Sequence, residues 1–504
     1  MKVAIIVLLI GVLPIALTAQ NHVNYDNLDH YIEKAVKDFD LTGLTISIVK
    51  DGSVTFRKAY GLKDASKNEP MTVRSLFNIA SCTKAFTAAC LGMLVEEGKI
   101  AWQDKVIDYI PEFRLSEPYV TKELNMIDIL SHRSGLATFD GDLLWYETDY
   151  SNEEIIRRMR HLPLRRDFRS QFGYQNNMFL IAGEIVHEVS DTTWSDFVYE
   201  RIFNPLDMTD SRTCSEHLTE DQDIAYPHLD GKVRELYIED PGPAGSIYSN
   251  AEEMSRWITM LLNGGTYQGQ RLLNEDTVEQ LFAPQTLLNL SSFMKDTGSH
   301  FYAYGLGWFL FDYSGRKVAE HGGGMPGYIS KVTLVPEENL GFVILTNDMN
   351  RLPNALRYKI LDTFLNEGDK DWAQYYLELK NRREQGEQKR MAERKAKRAK
   401  NTQPSLDLSQ YTGTYNDQMY GDATVELKDG QLWLTLVPTK DIFVSAMQHW
   451  HYDTFRIKFR DEFLPEGFVT FRFDSNGEVT GLKIDLPNPD FHFNNLDFKK
   501  VERQ

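Results

Sequence analysis

Strand patterns occur at both ends of the first 365 residues, and a mainly helical stretch from Ser81 to about Gly265 separates them. Alternating apolar residues over 44–49 and 54–60, joined by Lys50-Asp51-Gly52-Ser53, predict a β-hairpin. The later segments with strand patterns are 303–311, 328–335 and 341–345. Because an isolated hairpin is rarely stable, we predict one antiparallel sheet to which both ends of this region contribute.

A charged connector and an all-β segment follow. Residues 367–404 are rich in Arg, Lys and Glu and poor in large apolar residues, which predicts a solvated helical linker. Residues 405–504 change to period-two alternation, with turns at Lys428-Asp429-Gly430 and Ser475-Asn476-Gly477. We therefore predict a small antiparallel β domain over 405–504, lipocalin-like or a partial barrel. Few contacts are expected to cross such a linker.

The N-terminus has the pattern of a secretory signal. Lys2 precedes an apolar run from Val3 to Leu17, and Thr18-Ala19-Gln20 offers a cleavage point, so residues 1–19 are predicted to be a signal peptide. The run is shorter than the roughly 20 residues of a membrane span. No cysteine stands at the cleavage point, which argues against a lipid anchor. These features predict a periplasmic or secreted protein whose first folded domain would be residues 20–366.

Composition excludes several functions. The formal net charge of −18 argues against nucleic acid and anionic lipid as partners, because both require a basic surface. The basic residues of the linker are interspersed with acids, which argues against the alternative of a nucleic-acid patch there. Cys82 and Cys90 lie two turns apart on one predicted helix, too far for a disulfide. Cys82 is interpreted as a packing residue rather than a reactive thiol.

A serine and a lysine mark the start of one apolar helix. Ser-x-x-Lys occurs at Ser47, Ser81, Ser292 and Ser314, but only Ser81 precedes a convincing buried helix, which Gly98 ends. Residues three apart share a helix face, so the Lys84 ammonium can reach the Ser81 hydroxyl. The free N–H groups of the first turn would favour an anion forming near Ser81.

Two later segments add polar groups. Tyr174-Gln175-Asn176 precedes a second apolar helix, and His321-Gly322-Gly323 is the only His-x-Gly of the sequence. Tyr-x-Asn also occurs at Tyr25, Tyr150 and Tyr248, so the tripeptide alone is weak. The glycines after His321 would let a strand backbone come close to a ligand.

Taken in order, Ser81-Cys82-Thr83-Lys84, Tyr174-Gln175-Asn176 and His321-Gly322-Gly323 resemble the motifs of the penicillin-recognising serine hydrolases. These include class C β-lactamases, D-Ala-D-Ala peptidases, D-aminopeptidases and related esterases. Residues 131–136 and 242–246 are similar to further landmarks of that family. The resemblance covers about residues 25–365. It implies an α/β (α+β) fold with an antiparallel sheet, helices on both faces and a helical subdomain, followed by an appended β domain.

The resemblance also implies catalytic roles. Ser81 would be the nucleophile of an acyl-enzyme mechanism. A serine hydroxyl needs a base, and both Lys84 and Tyr174 are candidates, because burial lowers a lysine pKa and a nearby ammonium lowers a phenol pKa. The sequence leaves this choice open. The oxyanion hole would use the backbone N–H groups of Ser81 and Gly324.

The substrate-binding residues implied are Asn176, His321 and Gly323. Many β-lactamases of this kind have lysine in place of His321 and a hydroxyl residue in place of Gly322, which favours the peptidase and esterase branches here. An imidazole with an unperturbed pKa near 6.5 would attract a substrate carboxylate more strongly as the pH falls. His132 is interpreted as structural, and no residue cluster has metal-ligand spacing, so neither metal nor cofactor is expected.

Together these observations predict an exported serine hydrolase acting on amide or peptide bonds, with D-amino-acid peptides among the candidates. The alternatives are a carboxylesterase, a β-lactamase, or a slowly acylating penicillin-binding sensor or scaffold. The expected partner is a small-molecule or peptide substrate. The oligomeric state is left open.

Overall fold

The computed structural model describes residues 23–236 and 242–501, and the predicted signal segment lies outside them. The helices of the described part are α1 Tyr25–Asp38, α2 Thr83–Glu96, α3 Val106–Tyr109, α4 Pro118–Glu123, α5 Met126–Leu130, α6 Asn152–Arg158, α7 Asn176–Ser190, α8 Trp194–Val198, α9 Ala251–Leu262, α10 Glu275–Leu281, α11 Ser292–Asp296, α12 Leu352–Leu365 and α13 Trp372–Ala396. None of them is both long and apolar enough to cross a membrane.

The strands before the linker are β1 Gly43–Lys50, β2 Ser53–Asp64, β3 Glu69–Pro70, β4 Phe77–Asn78, β5 His228–Leu229, β6 Lys232–Val233, β7 Tyr248–Ser249, β8 Thr266–Tyr267, β9 Gln270–Arg271, β10 Thr286–Leu287, β11 Tyr302–Tyr304, β12 Phe309–Tyr313, β13 Arg316–Met325, β14 Tyr328–Val335 and β15 Leu340–Thr346. Among the described residues, nine of them form one sheet in the order β10-β11-β12-β13-β14-β15-β1-β2-β3.

Both ends of this region meet in the sheet, as predicted. Strand β1 lies between β2 and β15, with Ile46 opposite Ile344. The hairpin turns at Asp51 and Gly52, whose φ angles of 52° and 74° are those of a tight primed turn. The segment predicted as one strand over 303–311 is instead two strands, β11 and β12. Gly307 lies in the connection with φ of 81°, a conformation that ends a strand.

Helices cover both faces of the sheet because the central strands are apolar on both sides. On β15, Phe342 and Ile344 pack with α1 and α12, whereas Val343 and Leu345 belong to the larger core that contains α2 and α9. A strand buried on both faces has this continuous apolar sequence. The helical stretch between β4 and β10 packs over the α2 side, and this arrangement confirms the predicted fold class.

Helix α13, Trp372–Ala396, lies within the segment expected to be a solvated linker, but it is not wholly solvated. Helix α13 buries Trp372, Ala373 and Tyr376 in its first turns, and the indole N–H of Trp372 donates to Asp362 Oδ2 at 2.6 Å. The later turns are largely exposed and carry alternating charges. The first turns therefore anchor the connector to α12, and the rest extends towards the C-terminal strands.

Within the described residues, the C-terminal strands close into an eight-stranded barrel rather than the partial one that was among our predictions. Its interior is filled by aromatic and aliphatic side chains, among them Tyr411, Tyr415 and Phe471. The strands are β16 Gly413–Asp417, β17 Gly421–Lys428, β18 Gln431–Leu436, β19 Val444–His451, β20 Thr454–Ile457, β21 Gly467–Phe473, β22 Val479–Asp485 and β23 Phe498–Lys500.

The expectation of few contacts across the linker is wrong. The Tyr146 hydroxyl donates to Asp461 Oδ2 at 2.8 Å, and the Tyr146 ring lies 4.0 Å from that of Phe491 between centroids. His492 and Asn495 both hydrogen-bond Asp140 Oδ1, at 3.2 and 3.1 Å. Composition could not show this, because the contacting side chains come from loops without a periodic pattern.

Candidate active site

A strained turn presents Ser81 at the start of α2. Residues Ala80–Cys82 form a short 3₁₀ turn before the helix, and Ala80 has φ of 47°, which is unusual for a residue with a Cβ. The Ala80 N–H donates to Asn78 Oδ1 at 2.7 Å, which holds this conformation. Strain of this kind is often retained at functional sites. The turn brings Ser81 to the wall of a cavity.

Strand β13 lies directly against that turn, and Gly323 is what permits the approach. A Cβ at Gly323 would stand 2.3 Å from both Ile79 O and Ser330 Oγ. Any side chain there would therefore displace the Ser81 turn. Gly324, the next residue, lines the cavity together with Ser81. Their backbone N–H groups remain our proposal for the oxyanion hole.

Lys84 lies one turn beyond Ser81 and is completely buried. Its Nζ donates to Ser81 Oγ at 3.0 Å, to Asn176 Oδ1 at 2.7 Å and to Ala244 O at 2.7 Å, so every ammonium proton has an acceptor. Burial nevertheless lowers the pKa of Lys84 to about 7. A lysine with such a pKa is a free amine in a large fraction of molecules at neutral pH.

Asn176 connects Lys84 to a buried carboxyl group. While its Oδ1 accepts from Lys84, its Nδ2 donates to Asp142 Oδ2 at 2.7 Å. Burial raises the pKa of Asp142 to about 7, and its negative charge raises the pKa of Lys84. The two groups are electrostatically coupled, so their protons are released in steps that belong to the pair.

Tyr174 stands over the same lysine. Its ring centroid lies 4.9 Å from Lys84 Nζ, and its phenol is within hydrogen-bonding reach of Ser81. Complete burial raises the pKa of Tyr174, and the Asp142 charge acts in the same direction. In this structure Lys84, rather than a Tyr174 phenolate, is the group whose basic form is accessible near neutral pH.

The cavity above Ser81 has a volume of about 510 Å³ and aromatic walls. Residues on both sides of the linker form it, because Phe463, Asp490 and Phe491 of the barrel stand opposite Trp145 and Tyr146. The remaining lining residues are Ser81, Thr138, Phe139, Asp142, Phe172, Tyr174, Asn176, Phe309, His321, Gly322, Gly324, Met325, Pro326, Ile329 and Met349.

The comparisons with known proteins agree with this geometry. A family model described as Beta-lactamase matches residues 28–364, and one described as Domain of unknown function (DUF3471) matches residues 397–500. The chain belongs to the Beta-lactamase family. Since its Ser81 and Lys84 form the hydrogen-bonded pair described above, this β-lactamase-family protein is a serine hydrolase.

Individual relatives of this β-lactamase-family enzyme are distant. An unguisins hydrolase of Aspergillus campestris is 27% identical over 442 residues, which cover 79% of this chain and 78% of the relative. Among solved structures, an octameric penicillin-binding protein homologue from Pyrococcus abyssi has a TM-score of 0.61 at 19% identity, with 95% of this chain and 100% of that chain covered. D-amino acid amidase from Ochrobactrum anthropi has a TM-score of 0.56 at 20% identity, with 68% and 99% covered. The two structural likenesses concern the fold alone.

His321 corrects one expectation about the β-lactamase-family site. Its Nδ1 lies 2.8 Å from Gly322 O, which can only accept, so Nδ1 carries the hydrogen. Its Nε2 then accepts from the Tyr304 hydroxyl at 2.9 Å. Burial and the nearby Lys84 lower the pKa of His321 to about 3. The imidazole is therefore neutral throughout the working pH range, and the predicted growth of carboxylate attraction near pH 6 is wrong.

We accordingly expect the same pH profile for two kinds of ester. In the variant Asp142→Asn, which lacks the cavity carboxyl whose pKa is about 7, matched p-nitrophenyl esters, one with a free carboxylate and one neutral, should give kcat/KM profiles with the same midpoint between about pH 5.5 and about pH 8.5. The reason is that no imidazolium forms at position 321 in this range. Stopped-flow acylation rates measure both profiles. A lower midpoint for the carboxylate ester alone would show that His321 titrates.

The pKa of Lys84 predicts the acid limb of the pH profile of kcat/KM. Because kcat/KM reports ionisations of the free enzyme, it should rise with pH with a midpoint near the pKa of about 7 for Lys84. Asp142→Asn should move this midpoint to lower pH, since the carboxylate that raises the lysine pKa is gone. Asp149→Asn, a change at an exposed position, is the control and should leave the midpoint in place. A midpoint that stays the same in Asp142→Asn would contradict the coupling.

Two other predicted interpretations agree with the structure. The Cys82 thiol is buried 3.3 Å from Ser330 Oγ, and burial raises its pKa to about 11, so it packs as an unreactive thiol. His132 is buried, and its Nδ1 accepts the Gln175 N–H at 3.1 Å, which positions the segment that carries Tyr174. Among the described residues no group of His, Cys, Asp and Glu could hold a metal ion.

Sequence reasoning missed several residues of the site. Asp142 was not considered, and Tyr304 and the barrel residues were assigned to strands or loops without a role. Ala244 lies in the landmark 242–246, and its carbonyl gives that segment a function as an acceptor for Lys84. Gly141, the residue before Asp142, has φ of 87°, and a Cβ there would stand 2.9 Å from Asn177 Nδ2.

Proposed function

We propose that this serine hydrolase cleaves amide bonds of small or peptide substrates through an acyl-enzyme on Ser81, with Lys84 as the base. The observation that carries the proposal is the buried Ser81–Lys84 contact of 3.0 Å, together with the lowered lysine pKa of about 7. A free amine at this distance can take the hydroxyl proton as Ser81 attacks. As the tetrahedral intermediate collapses to the acyl-enzyme, the same group can return the proton to the leaving amine.

The roles of the other residues follow from their contacts. Asn176 holds the lysine in place and contributes to the cavity wall, and Asp142 holds Asn176. His321 shapes the wall without offering an N–H to the substrate, since both ring nitrogens already have partners. Gly323 allows the strand to approach, and the N–H groups of Ser81 and Gly324 would bind the oxyanion.

Amide hydrolysis is favoured over β-lactam hydrolysis by the charges of the cavity. No lysine or arginine occurs among the described residues that line it, so nothing there pairs with the carboxylate of a penicillin. The unguisins hydrolase relative supports hydrolytic chemistry, although its identity is low. An esterase is the second candidate, because an aromatic cavity without cations also suits neutral esters.

A substrate panel tests the proposal. D- and L-aminoacyl p-nitroanilides, the matching p-nitrophenyl esters and a chromogenic cephalosporin are incubated with the wild type and with Ser81→Ala. The proposal expects anilide turnover that Ser81→Ala lacks. Ester turnover without any anilide turnover would overturn the assignment to amide bonds and indicate an esterase. Stable acylation without turnover would indicate a slowly acylating binding protein.

Export belongs to the same proposal and rests on residues 1–19 alone. Fractionation of bacteria that express the full chain, followed by N-terminal sequencing, tests it. Mature protein that begins at Gln20 outside the cytoplasm is expected. Unprocessed cytoplasmic protein that begins at Met1 or Lys2 would overturn it.

A further inference from the structure

The cavity has a one-sided charge distribution. Of the described residues that line it, only Asp142 and Asp490 have side chains that can carry a charge near neutral pH, because His321 stays neutral. The two carboxyls influence each other, since the charge of Asp490 raises the pKa of Asp142. Two carboxylates facing one cavity repel an anionic ligand and attract a cation.

Asp490 reaches the cavity from a loop of the barrel between β22 and β23. Its backbone N–H donates to Asn488 Oδ1 at 2.8 Å, which fixes the loop beside Phe491. No ion pair or hydrogen bond from the described residues engages its carboxylate. Partial burial raises its pKa, while the charges of His492 and Arg383 lower it. The group is thus held in place but left without a direct partner.

Asp142 offers a second free oxygen. Its Oδ2 accepts from Asn176, but its buried Oδ1 accepts no hydrogen bond from the described residues. The indole of Trp145 lies close enough to lower the Asp142 pKa, yet its Nε1 also lacks hydrogen-bond geometry. A buried carboxylate oxygen without a donor is costly. A cation brought by a ligand would compensate that charge.

Three aromatic rings pack against one another in the wall of the cavity that these carboxyls also line. The centroid distances are 5.8 Å for Trp145–Tyr146, 4.0 Å for Tyr146–Phe491 and 5.9 Å for Trp145–Phe491. All three rings line the cavity. Aromatic rings next to a carboxylate are the chemistry that recognises alkylammonium groups, through cation–π attraction and charge.

We propose that this cavity selects acyl substrates that carry an alkylammonium group, held between Asp142 and Asp490 against the rings of Trp145, Tyr146 and Phe491. The barrel thereby supplies a specificity determinant of the hydrolase, Asp490. This inference rests on the proposed acylation of Ser81. It specifies in addition that the preferred substrate carries a positive charge.

Two matched esters test the preference. One is the p-nitrophenyl ester of trimethylammonio-butanoate, and the other is its carbon isostere with a tert-butyl group in place of the ammonium. Each kcat/KM is divided by the rate of hydroxide hydrolysis of that ester, which removes the difference in intrinsic reactivity. The wild type is expected to prefer the cationic ester about tenfold, which corresponds to about 1.4 kcal/mol.

Single substitutions show which residues produce the preference for the cationic ester. Asp490→Asn should reduce it to about threefold or less, because one of the two charges is lost. Asp441→Asn removes the same charge from an exposed barrel position and should keep the full preference. The ratio of the two esters is measured within each variant, so general damage to the enzyme cancels. An unchanged ratio in Asp490→Asn, or no preference in the wild type, would overturn the inference.

A second measurement uses only the wild-type protein. Butyltrimethylammonium should slow the labelling of Ser81 by a neutral fluorophosphonate, and the uncharged isostere at the same concentration should not. Equal protection by both compounds would contradict the cation site.

The outcomes separate this inference from the proposed function. Anilide turnover without a cation preference would remove only the inference. A cation preference in ester acylation without anilide turnover would remove only the assignment to amide bonds.

Discussion

Replacing Lys84 with methionine is expected to lower kcat/KM about a thousandfold, because a positioned general base typically contributes 10²–10⁴-fold. Methionine is similar in length to lysine and keeps α2 packed, but it has no amine to take the Ser81 proton. The acid limb of the pH profile with its midpoint near 7 should disappear in this variant, since the titrating group is gone. Steady-state rates on a p-nitrophenyl ester measure both effects.

Tyr174→Phe is the comparison that assigns the base. The phenol has a raised pKa, so it remains protonated and contributes by orienting Ser81. Its loss should therefore cost less than the loss of Lys84 and should leave the acid limb in place. A larger loss for Tyr174→Phe, with Lys84→Met nearly active, would transfer the role of base to the tyrosine.

Phe491→Ala is expected to lower the free energy of unfolding by about 3 kcal/mol, the largest effect on stability among these variants. The side chain is buried between the barrel and the hydrolase residues Trp145 and Tyr146, so its removal leaves a gap in the cavity wall. We expect ester kcat/KM to fall about tenfold as the wall loosens. Urea unfolding followed by fluorescence, together with ester turnover, measures the two effects.

Tyr452→Ala is the matched control, because it removes an aromatic ring from the same barrel at a position that is 59% exposed. This substitution should change neither the urea midpoint of unfolding nor kcat/KM for the ester. An equally small effect of Phe491→Ala would show that the barrel does not support the cavity in solution.

The residues that could be identified from the sequence are those whose role shows in the neighbouring residues of the chain. Ser81 and Lys84 are three apart on one helix, and the Asp51-Gly52 turn fixes its hairpin through its own φ angles. Such features depend on neighbours in the chain, so spacing and residue type suffice to predict them. The order of the three short motifs along the chain then indicated the family and its fold.

Strand β13 shows where local signals mislead. Three consecutive glycines are unfavourable in a strand, and β13 was not among the segments with strand patterns, although the glycines after His321 were expected to let a strand backbone come close to a ligand. The structure extends the strand through them, because Gly323 must leave room for Ile79 and Ala80. Here a tertiary requirement, the close approach of two backbones, outweighs the intrinsic propensity.

Asp142 and Asp490 could not be predicted for a related reason. Each is a single carboxylate in a loop, and loops rich in Asp and Gly are common. Their function arises when the barrel docks and places Asp490 across the cavity from Trp145. The pKa of His321 was likewise unpredictable, since it depends on burial beside Lys84 and not on the residue type.

The site is tested most directly by mapping the covalent adduct of a fluorophosphonate. The wild type and Ser81→Ala are labelled at neutral pH, their intact masses are measured, and the modified peptide is sequenced. We expect one adduct in the wild type, located on Ser81, and none in Ser81→Ala at the same circular dichroism. A full adduct in Ser81→Ala, or one located on Ser47, Ser292 or Ser314 of the wild type, would contradict the assignment of Ser81 as the nucleophile.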